Sequence, residues 1–276
     1  MLVLEGKSAA QIDADGEEAE ENEEGSEYES VLISAASDLV AALGTVLGQD
    51  FTEPLQQFLP ALVKYYTPQR SSSDRATVVG TLGEIVVGMK QHITPFTNDF
   101  LAVLSKSLSD EDASVRSNAC FAAGVLVENS SSDLSPHFPA LLNALRPMFD
   151  KRQSDNGDEQ TATDNAVGCA SRIVSSKPDA LPLDQVLPVI FGCLPLRKDM
   201  AEWAPVLQAL MTLVQSNNAV AQSHIDTILQ LFAHVLGQPE DCLGGPLRGQ
   251  CVGFLSALNG SVPDKIQANG LQQYLV

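Results

Sequence analysis

The feature that most constrains this chain is an apolar helical pattern that returns about every 40 residues. Five segments carry apolar side chains at i, i+3 or i+4, and i+7, the spacing of one buried helix face. The spacings between equivalent first positions are 42, 41, 47 and 39 residues, measured at Phe51, Ile93, Leu134, Leu181 and Val220. A period of this length is typical of HEAT or armadillo repeats, in which each unit is a pair of antiparallel helices.

Ala- and Gly-rich stretches lie between these segments and predict the second helix of each pair. They cover residues 74–89, 113–127, 161–174, 200–214 and 246–258. Glycine weakens a helix, so we expect the glycines at 80, 83, 88, 124 and 168 to allow close approach of neighbouring helices. We predict an all-α HEAT-repeat solenoid, a superhelix of five to six antiparallel helical pairs over residues 30–276. Its core should include Val115, Ala119, Leu126, Leu141, Leu145, Ile190 and Leu229.

Charge is distributed unevenly along the 276 residues. The chain has 35 acidic and 16 basic residues, a net charge of −19, and ten of the acids lie between Asp13 and Glu29 without one base. Such a tract cannot fold by burying apolar surface, so residues 1–29 are predicted to be a helix remnant followed by an acidic, disordered loop. The tract is a solvated loop, a segment that speeds the association of basic partners, or a segment that occupies the binding face when no partner is bound.

Composition and motifs exclude several function classes. The acidic balance argues against direct nucleic-acid binding, which needs clustered cations. The five cysteines form no C-x-x-C pair, the four histidines form no H-E-x-x-H motif, and the chain has neither a G-x-S-x-G motif nor a P-loop. We therefore expect no catalytic, metal-binding or cofactor-binding residues. No apolar stretch approaches the ~20 residues that a membrane span requires, and no signal peptide is evident.

The clearest local motif lies at the start of the 113–127 stretch. Asp110 is followed five and six residues later by Val115 and Arg116, which is the kernel of a HEAT repeat. We expect Asp110 to cap the helix, Val115 to pack inward and Arg116 to bridge to an acid of a neighbouring repeat. Parts of the kernel recur near residues 74, 164 and 247, and their alignment gives equivalent polar positions at Thr77, Asn118, Asn165 and Gln250. These polar side chains either form a binding row or satisfy backbone groups between helices.

The same residues carry a resemblance to a known family. The stretch LSDEDASVRSNACFAAGVLVEN, residues 108–129, is similar to a segment of the importin β (karyopherin β) nuclear transport receptors. Residues 164–173 and 181–188 resemble the C-terminal region of the importin four type, and residues 74–75 and 83–85 also fit. Two departures are Thr163, where the family has Arg, and Trp203, where an acid or amide is expected. The resemblance spans residues 28–262 and implies that this chain is part of a receptor several times longer.

The resemblance also implies a function, as a set of expectations. Second helices would line the concave face of a curved superhelix and bind basic cargo for import through the nuclear pore. Implied partners are core histones with their chaperone, ribosomal proteins, nuclear localisation signals and nuclear pore proteins. Ran-GTP would act chiefly through the N-terminal half of the receptor, which lies outside this chain. The protein would shuttle between cytoplasm and nucleus, without enzymatic activity and without contact with membranes.

Recognition of a Lys/Arg-rich segment needs carboxylates for charge, amides for its backbone and an aromatic ring for alkyl or cation–π contact. The candidate cargo-binding residues are Asp74, Thr77, Glu84, Asn118, Asp164, Asn165, Glu202, Trp203 and Gln250. The alternative for each carboxylate is that it belongs to a solvated face and has no binding role. The alternative for Trp203 is that it packs in the interior. For the chain as a whole, the alternative is a HEAT scaffold that organises other proteins, like the structural subunit of a phosphatase.

Overall fold

The computed structural model describes residues 1–7, 23–239 and 243–275. Within these ranges the chain is helical and contains no strand. The helices are α1 (Glu23–Leu47), α2 (Thr52–Val63), α3 (Ser72–Met89), α4 (Thr97–Ser107), α5 (Ala113–Asn129), α6 (Phe138–Asp150), α7 (Gly157–Ser176), α8 (Leu183–Cys193), α9 (Trp203–Gln215), α10 (Ala219–Ser223), α11 (Ile225–Leu236), α12 (Gly245–Asn259) and α13 (Pro263–Ala268). The predicted all-α fold of stacked helical pairs is confirmed.

The chain divides into two compact units, Met1–Pro136 and His137–Val276. In the first unit the second helices lie side by side: α1 packs against α3 and α3 against α5, while α4 packs on both α3 and α5. In the second unit α7 packs against α9, and α6 and α8 both pack against α7. Each unit therefore has a layer of second helices and a layer of first helices, as expected of a HEAT array.

The interior of both units is aliphatic, as the sequence pattern predicts. All seven positions predicted to lie in the core are at most 3 % exposed. The glycines at 80, 83, 88 and 168 also act as expected, because they permit close helix contacts. A Cβ at Gly83 would lie 2.9 Å from the Phe121 ring of α5, and a Cβ at Gly88 would lie 2.6 Å from Thr45 Oγ1 of α1.

The N-terminal segment differs from the expected boundary at residue 30, since α1 already begins at Glu23. Residues 1–7 form turns in which Leu4 is buried, and the Tyr65 hydroxyl donates to the Val3 carbonyl at 3.3 Å. The disordered loop predicted for the acidic tract lies outside the described residues from 8 to 22.

One expectation about membrane spans needs correction. The helical segment Tyr28–Val63 is long and apolar enough to cross a membrane, by length and composition only. A 3₁₀ turn at Gly48–Phe51 divides this segment into α1 and α2. Ile33, Val40 and Phe51 are buried in the first unit, and α1 packs on α3. Counting uninterrupted apolar residues missed the segment, because Ser, Gly, Thr and Asp38 break the apolar run within residues 30–47 although the mean hydropathy stays high.

Candidate functional site

The kernel motif at α5 is used differently from the expectation. Asp112, not Asp110, caps the helix: its Oδ1 accepts from the backbone N–H groups of Ser114 at 2.9 Å and Val115 at 3.1 Å. Arg116 donates through Nη1 to the carbonyl of Asp110 at 2.8 Å, which folds the loop back onto the helix. The assignment of the cap to Asp110 was wrong because two aspartates lie within one turn of the helix start, and spacing alone does not separate them.

Asp110 instead joins the loop before α5 to the preceding second helix, α3. Arg75 of α3 donates to it through Nε at 3.0 Å and through Nη2 at 2.9 Å, a bidentate and buried pair. The Tyr66 hydroxyl donates to the same carboxylate at 3.2 Å. Burial alone would raise the pKa of Asp110, but the hydrogen bonds, foremost that from Arg75, hold this pKa below its usual value. Burial and the neighbouring Asp110 raise the pKa of Tyr66 to about 12.

Asn118 links α5 to α3. Its Nδ2 donates to the carbonyl of Ala76 at 2.8 Å, and a Cβ at Gly80 would lie 3.0 Å from the same nitrogen. The missing side chain at Gly80 is what lets the amide reach the α3 backbone. Asn118 thus satisfies a backbone carbonyl between the helices and is itself half-buried, so part of it remains accessible.

These residues belong to a patch that we call the α3–α5 surface: Thr77, Gly80 and Glu84 of α3, with Asn118 and Phe121 of α5. The three α3 positions recur at helical spacing and share one helix face. Thr77, Asn118 and Phe121 are half-buried and Glu84 is exposed, so a carboxylate, an amide, a hydroxyl and a ring are accessible together. Sequence reasoning missed Phe121; the signal was its position three residues after Asn118, opposite the small Gly83.

Asp74, at the start of α3, has an internal partner. It is 6 % exposed, and its Oδ1 accepts from the Ser30 hydroxyl of α1 at 2.8 Å. Its backbone N–H donates to Ser71 Oγ, the cap of α3, at 3.0 Å. Asp74 therefore holds α1 against α3.

In the second unit, Asp164 of α7 anchors the loop that precedes α9. Its Oδ2 accepts from three consecutive backbone N–H groups, those of Arg197 at 2.9 Å, Lys198 at 2.6 Å and Asp199 at 2.9 Å. Burial raises the pKa of this carboxyl, against the lowering effect of the three N–H donors. Asn165 beside it donates to Asp199 Oδ2 at 3.0 Å. Both side chains are nearly inaccessible, at 1 % and 4 % exposure.

Glu202 and Trp203, at the start of α9, are also buried. Arg172 of α7 donates to Glu202 through Nη1 at 2.6 Å, and the carboxylate occupies the space over Gly168, where a Cβ would lie 1.5 Å from Oε2. Trp203 is 3 % exposed, and its ring centroid lies 6.3 Å from that of His234. Trp203 is therefore a packing residue in this structure.

Two further positions complete the set. Thr163 replaces the Arg of the family pattern. Its Oγ1 lies 2.9 Å from the carbonyl oxygens of both Met148 and Glu159, which share its one O–H donor, so the side chain contacts α6 from α7. Gln250 lies exposed on α12. Of the nine candidates, Asp74, Asp164, Asn165, Glu202 and Trp203 are thus buried, whereas Thr77, Glu84, Asn118 and Gln250 reach the surface. Among the described residues no group of three or more His, Cys, Asp or Glu side chains could hold a metal ion.

Comparison with known proteins yields one family model and several relatives. Residues 32–164 match a model described as stalled ribosome sensor GCN1-like, HEAT repeats. A probable importin subunit beta-4 of Schizosaccharomyces pombe is 35 % identical over 249 residues, which are 89 % of this chain and 23 % of that protein. Importin-4 of Homo sapiens is 33 % identical over 78 % of the chain, and importin-4 of Mus musculus 31 % over 76 %; each is covered to 19 %. The chain spans about a fifth of the length of these curated relatives.

Proposed function

Because this chain belongs to the importin β family and is importin-4-like, we propose that it is a cargo-binding section of a nuclear import receptor. The single observation that carries the proposal is the 35 % identity with a probable importin subunit beta-4 over 89 % of the chain. Membership of a family of transport receptors also means that the chain is not an enzyme.

The charge of the molecule supports basic cargo. A net charge of −19 attracts Lys- and Arg-rich segments at long range and raises their association rate. The proposed cargoes are histones, with or without a histone chaperone, ribosomal proteins and other proteins with a nuclear localisation signal. In this proposal nuclear pore proteins and Ran-GTP are further partners, with Ran acting through a part of the receptor outside this chain, and the receptor shuttles between cytoplasm and nucleus.

We place the contact on the α3–α5 surface. A lysine of the cargo would pair with Glu84, and its alkyl stem would lie on the Phe121 ring. The Thr77 hydroxyl and the hydrogen-bonding capacity that the Asn118 amide does not use on Ala76 would face the cargo backbone. Gln250 would make an equivalent backbone contact in the second unit. The five buried candidates have a supporting role in this proposal, because they fix the helices and loops on which the accessible residues stand.

The test is a titration of a lysine-rich import peptide, followed by fluorescence anisotropy. Glu84→Lys should weaken binding by about three- to tenfold, since it converts an attraction into a repulsion at a solvated surface. The matched control is Glu53→Lys in the first turn of α2, an exposed glutamate of the same unit that lies on a first helix. It makes the same change in net charge.

If both variants weaken the peptide equally, net charge rather than the α3–α5 surface controls binding, and the placement fails. If neither variant has an effect while the parent binds, the contact lies elsewhere on the chain. Phe121→Ala adds an uncharged check, because it should weaken binding without changing the salt dependence.

A further inference from the structure

A groove runs between the first helices α6 and α8 of the second unit. Its volume is about 460 Å³. Leu142 and Phe149 of α6 and Val186, Val189 and Ile190 of α8 supply apolar lining. Val189 is 42 % exposed, which is unusual for a large aliphatic side chain that faces a groove. The groove therefore offers apolar surface that a binding partner would remove from water.

The charge that lines this groove is opposite in sign to the net charge of the molecule. Arg146 is the one charged residue that lines it, and no carboxylate does. Arg152 lies beyond the lining residues, at the C-terminal end of α6, where its Nη1 is 3.3 Å from the position that a Cβ of Gly192 would take. It hydrogen-bonds the Cys193 thiol, on which Asp150 also acts electrostatically. Both arginines are exposed. In a chain with 35 acids and 16 bases, an apolar groove whose one lining charge is an arginine favours a negatively charged ligand.

The first unit provides an internal comparison. A groove of about 450 Å³ lies between its first helices α2 and α4, at the corresponding place in the repeat. Asp99 and Lys106 both line that groove, so its charges are balanced. The cationic character is thus a property of the α6–α8 groove, not of the repeat architecture.

We propose that the α6–α8 groove docks a short linear segment of a partner protein in which apolar side chains stand next to carboxylates. The apolar side chains would cover Leu142, Val186 and Val189, and the carboxylates would pair with Arg146 and Arg152, each of which can bind a carboxylate in a bidentate manner. This occupant is acidic, whereas the proposed import cargo is basic. The inference does not rest on the proposed function.

The test uses a display library of random twelve-residue peptides, selected on the full chain at physiological salt. The expected pool is enriched in peptides that combine apolar residues with Asp or Glu. A labelled peptide from the pool is then titrated into the parent and three variants: Arg146→Glu, Val189→Glu and Lys106→Glu. The third variant places the same charge change on the α2–α4 groove and is the matched control.

Arg146→Glu and Val189→Glu should each weaken the peptide by about tenfold or more, and Lys106→Glu should leave its affinity unchanged. All these positions are exposed or half-buried, and thermal melts of the variants verify that the fold is intact. A pool enriched in basic peptides, a pool with no enrichment, or equal binding to the parent and Arg146→Glu would each overturn the proposal. In the last two cases Arg146 has no role in binding an acidic segment.

Discussion

At the scale of single residues, the spacing between second helices depends on which side chain fills the space over each glycine. Gly168 leaves room for the Glu202 carboxylate, and Gly80 for the Asn118 amide. The sequence predicts that such glycines allow close approach, yet it does not say what approaches. For the same reason Asp164, Glu202 and Trp203 were reasonable candidates by residue type. A sequence pattern shows which side chains are available, whereas the three-dimensional neighbours decide whether a side chain faces solvent or the interior.

Gly168→Ala should destabilise the protein by about 3 kcal/mol, because the new methyl group displaces Glu202 from Arg172 and disrupts a buried ion pair. Urea unfolding measures the change. The matched control is Gly249→Ala on α12, where no atom lies within 4 Å of the new Cβ and the helix gains propensity. That control should be neutral or slightly stabilising. Equal behaviour of the two variants would show that Glu202 does not sit over Gly168.

The Arg75–Asp110 pair makes a prediction about pH. The folded-state pKa of Asp110 lies below its unfolded value near 3.8, so the pair stabilises the fold above pH 4. That stabilisation is lost as the pH falls through the folded-state pKa. Asp110→Asn should therefore be less stable than the parent at pH 7, and the difference should shrink below pH 4. Denaturant unfolding at pH 7, 4 and 3 measures it; a constant difference would contradict the assigned pairing.

At the scale of helices, periodicity carried most of the information. The five predicted pairs correspond to α2 with α3, α4 with α5, α6 with α7, α8 with α9, and α10–α11 with α12. Helix ends were harder to predict from the sequence, since α1 extends to Glu23 and the cap of α5 is Asp112. The apolar repeat reports which helix face is buried over several turns, whereas a helix end depends on one or two hydrogen bonds that neighbouring polar residues could make equally well.

The buried face of α6 is tested by Leu145→Ala. This leucine is fully buried, so its truncation should cost about 2–5 kcal/mol through lost burial and the cavity that remains. Leu39→Ala on α1 is the comparison, because that leucine is 61 % exposed and its truncation should change stability by less than about 0.5 kcal/mol. Thermal or urea unfolding gives both values. An unaltered midpoint for Leu145→Ala would show that the helix is rotated from its assigned orientation.

At the scale of the whole molecule, two compact helical units carry a large excess of acid. The family, the fold class and the acidic character could all be predicted from the sequence. The binding surface could be predicted only in part, because five of nine candidates have buried, internal roles and Phe121 became visible only when α3 and α5 were seen side by side. In the proposed function, charge would account for the long-range attraction of basic cargo, and the α3–α5 surface for its local recognition.

The central claim is that this chain binds basic import cargo, and calorimetric titration of the full chain with a lysine-rich import peptide tests it most directly. The experiment is run at two salt concentrations, with a second peptide in which every lysine is replaced by glutamine. The account predicts micromolar binding of the first peptide, weakened at high salt as screening increases, and no measurable binding of the second. Equal binding of both peptides, or no binding of the lysine-rich peptide at low salt, would contradict it.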